Sequence, residues 1–96
     1  IRQSGGTSVV VGQDERILAG QRELATAGLY LEASAAISLP AVTELVATGW
    51  ISGSDLVVCI GTSSGLKDTD ATAGILAEVP TIRPDIDDLC MAIGGA

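Results

Sequence analysis

The sequence predicts a single α/β domain over residues 1–96, with a short, mainly parallel sheet between helices in a three-layer αβα arrangement. Three observations carry this reading. Residues 56–60 read Leu-Val-Val-Cys-Ile, an unbroken apolar run that ends at Gly61, as a strand buried on both faces of a parallel sheet does. Two further strand candidates, residues 8–11 and 29–32, alternate with segments of helical apolar spacing. Phe is absent, and one Trp and one Tyr are the only aromatic residues, so the core is expected to be built from small aliphatic contacts.

Taken in order, residues 1–7 form a polar lead-in, and the strand candidate at 8–11 closes at Gly12. Asp14 is placed to cap a helix, with Glu15 in the first turn, where the helix dipole favours negative charge. Ile17, Gln21, Leu24 and Ala25 share one helical face, interrupted only by Gln21, and Gly28 is expected as a left-handed cap. The strand candidate at 29–32 ends in Glu32. A second helix is predicted over 34–48, because Ala35, Leu39, Val42 and Val46 keep helical spacing before Gly49. Pro40 predicts either a kink there or a start nearer Ser38. After a turn at 52–55 and the central strand, a weak helix is expected over 70–78. A last helix follows, with Pro84 at its first position and Ile86, Leu89, Cys90 and Ile93 as its buried stripe.

The formal net charge of −7, with only five Lys and Arg, excludes a phosphate-binding basic surface, so no nucleic-acid partner is expected. Two cysteines in an acidic α/β sequence favour reduced thiols in a cytoplasmic protein over a disulfide framework. No apolar run approaches the ~18 residues that span a bilayer, and no signal-peptide pattern opens the sequence, so no membrane partner is expected. The sequence begins at Ile1, in the midst of ordinary-looking sequence, and is therefore expected to be a fragment or a processed piece.

The chemistry concentrates after the central apolar run. Gly61-Thr62-Ser63-Ser64-Gly65 fits the G-x-S-x-G turn of serine hydrolases, but the chain contains no histidine to act as base. A P-loop fails because three residues separate Gly61 from Gly65 and Leu66 precedes Lys67. Two distant cysteines without histidine make no zinc site. What remains is Thr62, whose hydroxyl at a strand's carboxyl end could hydrogen-bond a ligand atom without ionising. The competing reading makes residues 62–65 a capped turn and Glu32 a solvated carboxylate.

Thr62-Ser63-Ser64-Gly65-Leu66-Lys67-Asp68 resembles the T-G-x-G-L-K-D segment near the carboxyl end of threonine synthases, which are fold type II pyridoxal-phosphate enzymes. Glu32-Ala33-Ser34-Ala35-Ala36 is similar to their E-P-A-S-A-A segment, and the valine-rich start, the Asp14-Glu15 helix opening and the Gly28-Leu29 turn occur in matching order. The resemblance implies part of the large domain of that fold. It implies that Thr62 faces the pyridine nitrogen of pyridoxal phosphate, that Glu32 approaches the same pocket, and that Gly65 permits close backbone approach. A neutral hydroxyl at the ring nitrogen moderates the electron sink, which suits replacement and elimination chemistry.

The sequence departs from the family at Ala33, in place of proline, and at Ser63, in place of glycine. In the family, the lysine that binds the cofactor and the phosphate loop lie upstream of this region. Lys67, the only lysine here, is not assigned that role, and no residue of this chain is expected to be catalytic. The implied whole protein converts O-phosphohomoserine and water into threonine and phosphate. Its implied partners are the remainder of the enzyme, further copies in a homo-oligomer and a small amino-acid substrate. Two alternatives stand beside it: a self-associating structural module, and a piece of a serine or threonine dehydratase.

Overall fold

The computed structural model describes residues 1–74 and 76–94. Its packed centre is helical. Helix α1 (Asp14–Thr26) follows Gln13 in extended conformation and carries Asp14 and Glu15 in its first turn. Asp14 is thus the first helical residue rather than the cap. The end is as expected: Gly28 has φ +86°, and the Gly28 and Leu29 amides donate to the carbonyls of Ala25 and Leu24 at 2.9 and 2.8 Å.

The helix expected over 34–48 is broken into α2 (Ala33–Ala36) and α3 (Ser38–Ala47). Pro40 explains the break, because in the first turn of α3 its missing N–H has no intrahelical partner to lose. The Ser38 hydroxyl donates to the Ala35 carbonyl at 3.0 Å across the junction. Gly49, at φ +73°, ends α3, and the Trp50 amide donates to the Leu45 carbonyl at 2.9 Å.

Small residues let α1, α2 and α3 approach closely. A Cβ on Gly20 would lie 3.0 Å from Pro40 Cδ, and Ala35 and Ala36 are buried beneath α1. Arg16 of α1 and Glu44 of α3 form an ion pair at the rim of this contact.

The expected three-layer sheet is not formed among the described residues. Their sole β-pairing is an antiparallel bridge between Leu31 and Ser64. Residues 8–11 and 56–60 have no ladder partners among the described residues, and Leu56, Val58 and Ile60 are 94%, 80% and 76% exposed. The reason is the nature of the signal. An apolar run records which side chains require burial, whereas a strand exists only where another backbone lies alongside to take its hydrogen bonds.

The carboxyl-terminal expectations also shift. Helix α4 is limited to Asp70–Ala73, and its expected continuation crosses Ile75, outside the described residues. Helix α5 (Ile86–Gly94) begins two residues after Pro84, and the Asp87 amide donates to the Asp85 side chain at 2.8 Å. Arg83 forms two bonds to the Asp88 carboxylate at 2.8 and 2.9 Å. The expected buried stripe of α5 is exposed: Ile86, Leu89, Cys90 and Ile93 all face solvent.

These features make the molecule extended. Its radius of gyration is 18.3 Å, against about 12.5 Å for a compact chain of this length. No described helix is long and apolar enough to cross a membrane.

Candidate functional site at the 30–34 and 62–68 segments

The Leu31 and Ser64 bridge places two chemically distinct segments side by side. The Glu32 amide donates to the Ser63 carbonyl at 3.1 Å, and the Gly65 amide donates to the Tyr30 carbonyl at 3.0 Å. The second segment then tightens into a 3₁₀ turn at Gly65–Lys67, where the Ser64 hydroxyl accepts from the Leu66 amide at 3.3 Å. Asp68 carries the chain out of the turn, accepting from the Ala71 amide at 3.4 Å at the start of α4.

Glu32 and Gly65 are therefore brought together, with Lys67 Nζ 3.9 Å from Glu32 Oε2. The Glu32 carboxyl is held below the ordinary carboxylate range. The Ser63 side chain beside it is the largest influence; partial burial opposes the shift, while Ser34 and the charge of Lys67 add to it. Thr62 lies at the mouth of the turn, exposed, and its hydroxyl makes no hydrogen bond to another described residue.

The lowered Glu32 pKa has a pH consequence. Its anionic form is favoured in the folded chain, so its contribution to stability is present above ~4.3, the unfolded carboxyl value. That contribution is lost as pH falls through the depressed folded pKa. In acid unfolding curves, Glu32→Gln is expected to lessen the stability loss below about pH 4.5 and to leave the curve's shape near neutrality unchanged.

Three residues that sequence reasoning did not select complete the geometry. The Tyr30 ring covers Gly65 so closely that a Cβ there would lie 2.5 Å from Tyr30 Cζ. The Tyr30 hydroxyl is 2.7 Å from Thr72 Oγ1, and Gln21, 1% exposed, donates from Nε2 to the Leu31 carbonyl at 2.7 Å. Gln21 had a visible signal, as the one polar residue on the buried stripe of α1. Among the described residues, no group of His, Cys, Asp or Glu is placed to hold a metal ion.

No protein-family profile matches the chain. Curated relatives do. A threonine synthase of Methanosarcina acetivorans is 38% identical over 96 residues, 99% of this chain and 24% of that protein. One of Methanocaldococcus jannaschii is 36% identical over 90 residues, 93% of this chain and 22% of that protein. One of Mycobacterium leprae is 35% identical over 72 residues, 74% of this chain and 19% of that protein. The chain is similar to part of threonine synthases. It spans a quarter or less of the length of these threonine synthases, and in the first of them the similarity takes in both segments of the site.

Proposed function

We propose that this chain is the carboxyl-terminal part of a threonine synthase-like enzyme of the fold type II pyridoxal-phosphate family. The whole enzyme would convert O-phosphohomoserine and water into threonine and phosphate, in the cytoplasm and as a homo-oligomer. The observation that carries this reading is the end-to-end similarity, 38% identity over 99% of the chain. The juxtaposition of the 32–36 and 62–68 segments supports it.

The donor chemistry fits one edge of the cofactor. Thr62 offers an exposed neutral hydroxyl with no partner among the described residues, at a turn where Gly61 and Gly65 let the Leu31 and Tyr30 side chains pack directly against the backbone. Such a hydroxyl can hydrogen-bond a pyridine nitrogen without transferring a full proton to it. Pyridoxal phosphate, when bound, supplies the electron sink for replacement at the substrate's side chain. The chain's own residues have a narrower task. Thr62 orients the ring edge, Glu32 holds negative charge beside it, and Gly65 lets the Tyr30 ring seat the turn from behind.

The uncovered surface fits a part that is completed by the remainder of the enzyme. The accessible area is 7377 Å², against about 5,100 Å² for a compact protein of this mass. The difference exceeds the ~800 Å² that one partner contributes to a stable interface. The exposed 56–60 run also favours a second reading, a module that associates with copies of itself.

The test is made on the polypeptide that the native gene encodes. The expected result is a chain several times longer than these residues. Its visible cofactor absorption is removed by borohydride, which fixes the cofactor to a lysine outside residues 1–96. Thr62→Val in that protein is expected to weaken pyridoxal-phosphate binding roughly tenfold, the worth of one hydrogen bond. A colourless protein of only these residues, running as a dimer or larger on a sizing column, would replace this reading with the self-associating module.

A further inference from the structure

The exposed Thr62 turn is held from behind by a hydrogen-bonded series that begins in the helical core. Gln21 is buried in α1, and its amide Nε2 donates to the Leu31 carbonyl, which directs Oε1 toward Thr72. Thr72 Oγ1 donates to that Oε1 at 3.5 Å. Because the threonine hydroxyl has one proton, the 2.7 Å contact with Tyr30 is then made by the tyrosine as donor. With Gln21 oriented in this way by Leu31, the series runs from Tyr30 to Thr72 to Gln21. The Tyr30 ring lies against Gly65, and the Tyr30 carbonyl accepts the Gly65 amide at 3.0 Å. Gly65 is thus held on two sides by one residue, and that residue is anchored through Thr72 to a helix remote in sequence.

We propose that Tyr30 is a positioning residue for the 62–65 turn, locked by Thr72 and Gln21, so that the buried amide of α1 sets where Thr62 meets its ligand. This rests on the reading that Thr62 faces the pyridine nitrogen, but the locking itself does not. None of the three residues needs to touch the cofactor. Their effect is to restrict the turn to one place, which removes an ordering cost from binding. Without the tyrosine hydroxyl, the ring keeps its apolar contact but loses the bond that fixes its tilt over Gly65.

The experiment measures amide hydrogen exchange at Gly65 and pyridoxal-phosphate affinity in the native gene product, for Tyr30→Phe, Thr72→Val, Thr72→Ser and the double variant Tyr30→Phe with Thr72→Val. Tyr30→Phe and Thr72→Val are each expected to speed exchange at Gly65 about five- to tenfold, with no further rise in the double variant. Thr72→Ser, which keeps the hydroxyl, is expected to match the unsubstituted protein. Cofactor affinity is expected to fall in step with exchange. Unchanged exchange at Gly65, or a rise shared equally by the amides of α1 and α3, would overturn the proposal. If the unsubstituted protein binds no pyridoxal phosphate, the reading of Thr62 falls, and the exchange pattern alone decides the locking.

Discussion

Gly65→Ala lowers stability by about 1–3 kcal/mol, the usual cost of forcing atoms into a filled site. The new Cβ would lie 2.5, 2.6 and 2.7 Å from three atoms of the Tyr30 ring. The backbone is not the obstacle, because Gly65 is absent from the glycines with positive φ. The ring cannot simply move aside while its hydroxyl is bonded to Thr72 and its carbonyl to the Gly65 amide. Urea unfolding of the native gene product checks this. The steric origin makes a further demand: Tyr30→Leu, which removes the overlapping ring atoms, should make the alanine at 65 much less costly than it is beside tyrosine. A loss that is the same in both backgrounds would assign the glycine to some other need.

Gln21→Leu is expected to cost about 1–3 kcal/mol, although it places an apolar residue of similar size in a buried position. At 1% exposure, Gln21 is surrounded by protein, and its removal leaves the Leu31 carbonyl without the side-chain donor it has now and the Thr72 hydroxyl with Tyr30 alone. An apolar replacement is favourable only when both partners change together, and here one partner is backbone. The urea midpoint should fall at unchanged slope, since the folded and unfolded surfaces stay nearly the same. A midpoint equal to or above that of the unsubstituted protein would show that the buried amide does not stabilise the core.

What the sequence made legible was local. The left-handed caps at Gly28 and Gly49 and the interruption before Pro40 each depend on a few neighbouring residues, and each occurs where expected. The sheet was not legible, because pairing depends on which backbone lies alongside, and residues 56–60 carry no information about that. The site divides in the same way. Glu32 and Gly65 lie 33 positions apart and were joined only through a family resemblance; the structure brings them together by the bridge between Leu31 and Ser64. Tyr30 and Thr72 are separated by 42 positions and Gln21 and Thr72 by 51, so the lock beneath the turn left no short-range pattern. Gln21 showed itself only as a polar residue on an apolar face, which marks a buried hydrogen bond without naming its partner.

The five apolar residues at 56–60 also bear on how a cell must handle this chain. They contain no charge and no proline, and β-branched side chains dominate, the composition that stacks readily into cross-β fibrils. Asp55 guards one end, but the next charged residue on the other side is Lys67, beyond the turn. A chaperone that grips short aliphatic stretches would find its target here. The interval between synthesis of this run and its coverage becomes the period in which the polypeptide is most easily lost to precipitation.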